Sequence, residues 1–232
     1  MKLSIIIPVY NEMNTIQEIL KKIEDLHEIK KQIIIVDDGS SDETFNLIQN
    51  YKFKSEHEII KHKINSGKGA AIKSTVNYIS GDIVIIQDAD LEYDPKDYKE
   101  VIYPIIKNKS KIVYGSRVLN KKRYNQTNFI SNFRIFCNHI LTLLTNLLYK
   151  QNLTDAHTCY KAFDAKIFKQ INLKENDFAF CPEITAKVSK LGFKIFEVPI
   201  NYVGRNYNEG KKISFYDGIR AIIVLLKYRF FN

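Results

Sequence analysis

Cysteine is scarce in this sequence, and its spacing is informative: the three residues Cys137, Cys159 and Cys181 form no CxxC pair. That spacing points to neither a zinc site nor a redox pair and leaves reduced thiols in the cytosol as the simplest expectation. Apolar runs are short as well. None reaches the roughly 18 residues that a membrane-spanning helix needs. The run Leu3 to Ile7 is too brief for a signal peptide and ends at Pro8, so it reads as a strand. The sequence has no internal repeat and no low-complexity tract. It also lacks the GxxxxGK[ST] string of a P-loop and any recognisable nucleic-acid-binding motif.

What is present is a chain of 232 residues, enough for one large domain or a domain with an appendage. The expected division is a main domain over 1–212 and an amphipathic tail over 213–232. The net charge of +9 is unevenly placed. Residues 1–116 hold 16 Lys and Arg against 18 Asp and Glu, a net of −2; residues 117–232 hold 19 against 8, a net of +11. Acidic groups suited to a metal thus concentrate in the first half. Basic groups suited to phosphate, nucleic acid or an anionic membrane concentrate in the second.

The first half alternates short apolar runs with helical patterns. Strands are expected over 3–9, 33–37, 58–62, 82–87 and 111–115, and helices over 14–26, 42–51, 68–79 and 95–107. Ile33 to Val36 and Ile83 to Ile86 are apolar at every position, as in strands covered on both faces. Thr15 with Glu18, and Ser40 with Glu43, have capping-box spacing, and Pro95 suits a first helical turn. The alternation implies an α/β fold with a parallel, doubly wound sheet. The second half suggests a long amphipathic helix over 128–149, a strand near 159–163, a helix near 182–191, a strand near 193–198 and an apolar stretch with interspersed basic residues over 215–231.

In such a sheet, ligands bind beyond the carboxyl ends of the strands. Four polar clusters are expected at that edge: Tyr10-Asn11-Glu12, Asp37-Asp38-Gly39, Asn65 to Gly69, and Asp88-Ala89-Asp90. Asp88 and Asp90, two apart on extended chain, point to one side and suit a hard cation, Mg²⁺ or Mn²⁺, with Glu92 a third candidate ligand and Asp94 a weaker one. A cation there bridges a diphosphate and neutralises a leaving group. Of Asp37 and Asp38, one suits capping of the next helix and the other a ribose hydroxyl or base edge. Gly67-Lys68-Gly69 before a helix suits an anion, although a plain turn explains it equally.

The strings IIIPVYNE (5–12), VDDGSSDET (36–44), NSGKGAA (65–71), DADLEYDP (88–95), GSR (115–117), DAHTCYKAF (155–163), EVPINYVGR (197–205) and Tyr207 through Lys211 recur in order along nearly the whole chain. Together they resemble family 2 glycosyltransferases of the GT-A fold, in particular the group of dolichyl-phosphate mannose synthases and bacterial polyprenyl-phosphate glycosyltransferases. The resemblance implies an inverting transfer of a hexose from a nucleotide diphosphate-sugar, of the GDP-mannose or UDP-glucose type, to a lipid phosphate. It implies that Pro8, Tyr10, Glu12 and Asp38 hold the nucleotide-sugar, with Gly67, Lys68, Asp88 and Ala89 beside it. Asp88 and Asp90, with Glu92, hold the metal, and Arg117, Arg205 and Lys211 meet the donor or acceptor phosphates. Asp155 matches a position proposed as catalytic, where it either orients groups or, for a hydroxyl acceptor, serves as general base. The amphipathic 128–149 and 215–231 segments suit either ordinary packing against the domain or a flat seat at the cytoplasmic face of a membrane, where the protein is expected to be peripheral. Three other readings arise: a same-fold transferase acting on a saccharide hydroxyl, a basic nucleic-acid-binding module, and a nucleotidyltransferase. The second lacks a motif. The third usually begins with a Gly-rich loop where this chain has Pro8 to Glu12.

Overall fold

The computed structural model describes residues 1–120, 129–205 and 215–231, leaving aside the side chains of 129–134 and 215. Seven strands form one sheet in the order β3-β2-β1-β4-β6-β5-β7: β1 (Leu3–Val9), β2 (Lys31–Asp37), β3 (Glu56–Lys61), β4 (Ile83–Ile86), β5 (Ile112–Ser116), β6 (Lys161–Asp164) and β7 (Phe196–Pro199). β1, β2, β3 and β4 run parallel, as do β5 and β7, whereas β6 lies antiparallel between β4 and β5. The α/β class and mostly parallel sheet agree with the sequence reading. The antiparallel insertion is the feature that the alternation pattern does not reveal.

Local chemistry accounts for the strands. β1, β2 and β4 carry isoleucines that are fully buried on both faces, which suits central strands packed under helices. β3 ends the sheet and exposes Glu56, His57, Glu58 and Lys61, charges that discourage edge-to-edge pairing. The helices are α1 (Ile16–Glu24), α2 (Thr44–Gln49), α3 (Lys68–Ser74), α4 (Tyr98–Ile106), α5 (Phe129–Tyr149), α6 (Ala165–Gln170), α7 (Phe180–Lys190) and α8 (Phe215–Phe230). Two expected helices are shorter because each contains a 3₁₀ turn, Val76–Tyr78 after α3 and Pro95–Asp97 before α4. Pro95 does open its turn, with Asp94 accepting the Lys96 amide hydrogen at 3.0 Å.

Neither capping box forms. Thr15 precedes α1 without a side-chain cap, because its hydroxyl donates to Glu12 at 2.9 Å. The Ser40 hydroxyl accepts from the Asn11 amide at 2.9 Å, and Asp42 accepts from Thr44 at 3.0 Å in the turn leading to α2. In both cases the loop after β1 takes the group that the local spacing assigned to a helix.

α8 packs on α5 and α7 around a second, smaller core of Tyr149, Ala179, Ala186, Val224, Leu225 and Tyr228. The outward faces of two of these helices are apolar. On α5, Phe136, Ile140, Leu143 and Leu147 lie exposed at helical spacing, Leu147 to 78%. On α8, Ile219, Ile222, Ile223, Leu226 and Phe230 do the same. Among the described residues no helix is long and apolar enough to cross a membrane.

Candidate functional site

The register Val9–Asp37–Lys61 across β1, β2 and β3 brings the three polar clusters that follow these strands to one edge, with the β4 cluster beside them. The loops after β1 and β2 are laced together: the Ser41 amide donates to Asn11 at 2.8 Å and the Glu12 amide to Thr44 at 2.8 Å. Pro8 and Tyr10 are half-buried along this seam, and Ala89 is buried in the core beneath the edge.

Asp38 is not a free carboxylate at this edge. Its oxygens accept the amide hydrogens of Ser66 at 3.0 Å and Gly67 at 2.7 Å, and His62 Nδ1 lies 2.6 Å away. Asp38 therefore braces the 65–69 loop. Asp37, fully buried, accepts from the Ser40 amide at 3.3 Å and leaves Oδ1 without a hydrogen-bond partner. Long-range loop contacts thus engage Asp38, and burial closes Asp37 off.

The glycines of that loop serve packing. Gly67 has φ +94, and a Cβ there would stand 2.5 Å from the Asn176 carbonyl oxygen; at Gly69 it would stand 2.4 Å from that of Glu175. Without side chains the loop docks on the 175–176 backbone, and the Ala70 amide donates to Asn176 at 2.9 Å. Gly67→Ala combines a left-handed backbone with a steric clash. It is expected to cost about 2 kcal/mol or more of stability, read as a melting temperature several degrees lower. An unchanged melting curve would contradict that reading of the loop.

Lys68 projects from this loop to Asp88 Oδ1, forming a close ion pair with both side chains about nine-tenths shielded from solvent. Burial alone would lower its pKa, but Asp88 holds it well above the usual lysine range. Beside this pair lies an acidic cluster. Asp90 is pushed up to about 7, first by burial and then by Asp88 and Glu92, against the opposing pull of Arg205 and Lys68. Arg205 reaches Asp90 at 2.8 Å and Glu12 at 3.1 Å. The 200–205 segment that delivers it is pinned along Glu92 and Tyr93: Tyr93 and Tyr202 form a β-bridge, the Val203 amide donates to the Glu92 carbonyl at 3.0 Å, and the Glu92 carboxylate accepts from the Arg205 amide at 2.7 Å and the Tyr202 hydroxyl at 2.9 Å.

Glu92 thus braces the 200–205 segment, with one hydrogen bond to each of its carboxylate oxygens. Among the described residues no group of three Asp, Glu, His or Cys side chains gathers as a metal cage. The donor set of Asp88 and Asp90 still fits Mg²⁺ or Mn²⁺. Both are hard carboxylates two residues apart, and Mg²⁺ is commonly held by one or two carboxylates together with substrate phosphates.

Asp155 and Arg117 stand across the site as a two-point pair. Arg117 Nε and Nη2 donate to Asp155 at 2.6 and 2.7 Å, and the Arg117 amide adds a third bond at 3.1 Å. Burial alone would raise the Asp155 carboxyl, but Arg117 overcomes it and holds the group below the ordinary aspartate value. Asp155 therefore stays ionised and fixes a guanidinium. Glu197 supports it from behind, accepting the amides of Thr154 at 2.6 Å and Asp155 at 2.9 Å. Arg117 lies over the Tyr202 ring at 5.2 Å, which connects this pair through Tyr202 to Glu92 and Arg205. His157, half-buried, is pushed down to about 4 by burial and then by Lys161, so the imidazole is neutral. Lys211 and the Tyr207 string lie outside the described residues.

Several contributors escaped the sequence reading. Tyr202 and Glu197 both lie in the string 197–205, yet nothing in spacing marks their partners. Lys161 is fully buried, donating to the Ala156 carbonyl at 3.0 Å and lying over Tyr114 at 3.6 Å. Cys159 and Cys181, 22 positions apart, are both buried beside this region, with Cys181 Sγ 3.8 Å from the Thr158 carbonyl; the absence of a CxxC string does not reveal that approach.

Comparison with known proteins places this geometry. The model of Glycosyl transferase family 2 matches residues 4–171. The dolichyl-phosphate beta-glucosyltransferase ALG5A of Trichomonas vaginalis is 29% identical, with 99% of this chain and 73% of that protein covered. The UDP-N-acetylglucosamine–dolichyl-phosphate N-acetylglucosaminyltransferase of Methanococcus voltae is 29% identical over 96% of this chain and 94% of its own. Among solved structures, glucosyl-3-phosphoglycerate synthase from Mycobacterium tuberculosis in complex with Mg²⁺ and uridine diphosphate superposes with a TM-score of 0.71 at 17% identity, covering 98% of this chain and 79% of that one, which is a likeness of fold.

Proposed function

The chain belongs to glycosyl transferase family 2, and on that premise we propose that it moves a hexose from a nucleotide diphosphate-sugar to a polyprenyl or dolichyl phosphate, with inversion at the anomeric carbon. The observation that carries this reading is the convergence, at one sheet edge, of the Asp88–Asp90 carboxylates with three cations paired to acids, Lys68, Arg117 and Arg205. The nucleotide-sugar would lie along Pro8, Tyr10 and Glu12, above Ala89. Asp38 and Gly67 would keep the 65–69 loop, and with it Lys68, in place. A divalent cation, Mg²⁺ or Mn²⁺, would be held by Asp88 and Asp90; when bound, it supplies charge neutralisation for the departing nucleoside diphosphate.

The Asp155–Arg117 pair favours a phosphate acceptor over a sugar hydroxyl. A hydroxyl nucleophile normally needs a general base, and Asp155 is engaged. A phosphate monoester has a second pKa of about 6, so it is already an anion at neutral pH. It needs a positioned cation, and Arg117 would be one, its guanidinium oriented by the two-point pair with Asp155. The relatives named dolichyl-phosphate transferases support the same choice.

The exposed apolar stripes of α5 and α8 support a peripheral seat at the cytoplasmic face of a membrane, where a lipid-linked acceptor resides. Exposed Lys150 and Arg229, at the ends of the same two helices, would add attraction to anionic headgroups. No nucleic-acid partner belongs to this reading. It is tested by incubating the chain with Mn²⁺, radiolabelled GDP-mannose, UDP-glucose or UDP-N-acetylglucosamine, and either a short polyprenyl phosphate or free saccharides. Label is expected in the lipid fraction with one donor. Label only on saccharides would overturn the acceptor assignment.

A further inference from the structure

Two arginines line the donor edge, and they are held in different ways. Arg117 has one carboxylate partner, matched by two parallel bonds. Arg205 is shared. Its Nη1 lies 3.1 and 3.3 Å from the two Glu12 oxygens, and its Nη2 lies 3.3 Å from Glu12 and 2.8 Å from Asp90. Its Nε is 3.9 Å from Glu92 and is buried without a hydrogen-bond partner. A buried guanidinium donor left unpaired is uncommon, because it forfeits hydration without a replacement bond. Arg205 therefore spreads its hydrogen bonds over two carboxylates, Glu12 and Asp90, and leaves one donor unsatisfied. Its backbone, by contrast, is firmly rooted by the Glu92 carboxylate and the Tyr93–Tyr202 bridge. A fixed root with a head divided between two carboxylates suits a side chain that changes partners.

We propose that Arg205 is the resident counter-ion of the donor site, seated on Asp90 and Glu12 until a divalent cation takes Asp90 and the guanidinium passes to the donor diphosphate. The inference rests on the donor-site reading above and adds to it a competition. Arg205 and the cation cannot both neutralise Asp90 at full strength, so the chain without donor binds the cation weakly. A diphosphate that draws Arg205 away relieves that competition, and by reciprocity the cation favours the diphosphate. The phosphate role expected of Arg205 and its seat on carboxylates become two states of one side chain.

The test is a Mn²⁺ titration of the full chain without nucleotide or acceptor, following the free-ion electron paramagnetic resonance signal. Arg205→Gln removes the competing charge and keeps a polar side chain of similar reach. It is expected to lower the apparent Mn²⁺ Kd by about tenfold or more, as loss of a like charge so near the ligand should. Adding Asp90→Ala to that variant is expected to remove the gain. Arg205→Met serves as a second neutral variant, and circular dichroism confirms that each is folded. Folded neutral variants that bind Mn²⁺ no tighter than the unaltered chain would overturn the proposal, as would a gain that survives loss of Asp90. Because the titration involves no sugar transfer, its failure is distinct from failure of the transferase reading, which the labelled-donor assay on the unaltered chain decides.

Discussion

Asp90→Ala is expected to lower sugar transfer by roughly a thousandfold while leaving the fold intact. The side chain sits at a loop after β4, and no backbone ladder bond depends on it; of its oxygens, Oδ1 accepts one local amide at 3.1 Å and Oδ2 meets Arg205. Loss of a single group that stabilises developing charge in an acyl-transfer site costs about 10²–10³ in turnover, and here the proposed cation would lose its anchor as well. Stability should barely change or rise. Burial and two neighbouring acids push the Asp90 carboxyl up to about 7; removing it relieves repulsion with Asp88 and Glu92, which offsets the loss of one Arg205 partner, and Glu12 remains to pair that guanidinium. Transfer assays together with a thermal melt check both parts. Retained activity would remove the metal role from Asp90, and a collapsed melt would make it a structural residue.

Asp155→Ala should have the opposite profile, with a large stability cost joined to the loss of activity. Asp155 is 5% exposed at the side chain and Arg117 18%, and the variant leaves the guanidinium desolvated with no carboxylate partner. Breaking a buried pair from one side costs about 3–5 kcal/mol. For a chain of this size that corresponds to a fall in melting temperature of about 10 °C. The pair also has a pH signature. The folded-state pKa of Asp155 is depressed, so its stabilisation is fully present above the unfolded value of about 3.9 and is lost as pH falls below that toward the folded value. The unaltered chain should therefore lose stability through this acidic window, and the variant should lose less. Equal acid sensitivity of the two proteins would show that the ion pair is not a major source. Asp155→Asn keeps the shape and one acceptor; if Asp155 were a general base, that variant would lose turnover with little loss of stability, whereas a positioning role predicts that both fall together.

The sheet was largely legible because central parallel strands leave a plain trace: Ile33 to Val36 and Ile83 to Ile86 are apolar at every position and are buried as that pattern demands. The strand expected near 159–163 is β6, but its antiparallel place between β4 and β5 was not legible, because an apolar run carries no sign of the direction in which its strand enters the sheet. Site residues were legible as types and as an edge, because strand polarity alone fixes where the loops after β1, β2, β3 and β4 emerge. Their pairings were not. Asp38, Glu92 and Asp155 each read as ligand-facing acids, yet each is engaged by groups 24 to 113 positions away. Arg205 illustrates the same limit from the other side: its charge was readable, but not the carboxylates on which it rests. The helical repeat of α5 was also visible, but Phe136, Ile140, Leu143 and Leu147 face outward, where a soluble-core reading would have buried them.

The donor site is tested most directly by a crystal of the chain grown with Mn²⁺ and a nucleoside diphosphate, with the cation located from its anomalous signal. A peak in direct contact with the Asp90 carboxylate and the diphosphate, with the Arg205 guanidinium moved from Asp90 to a phosphate oxygen, is the expected result. A diphosphate bound elsewhere, or a cation lodged away from Asp90 while Arg205 keeps its carboxylate seat, would contradict it.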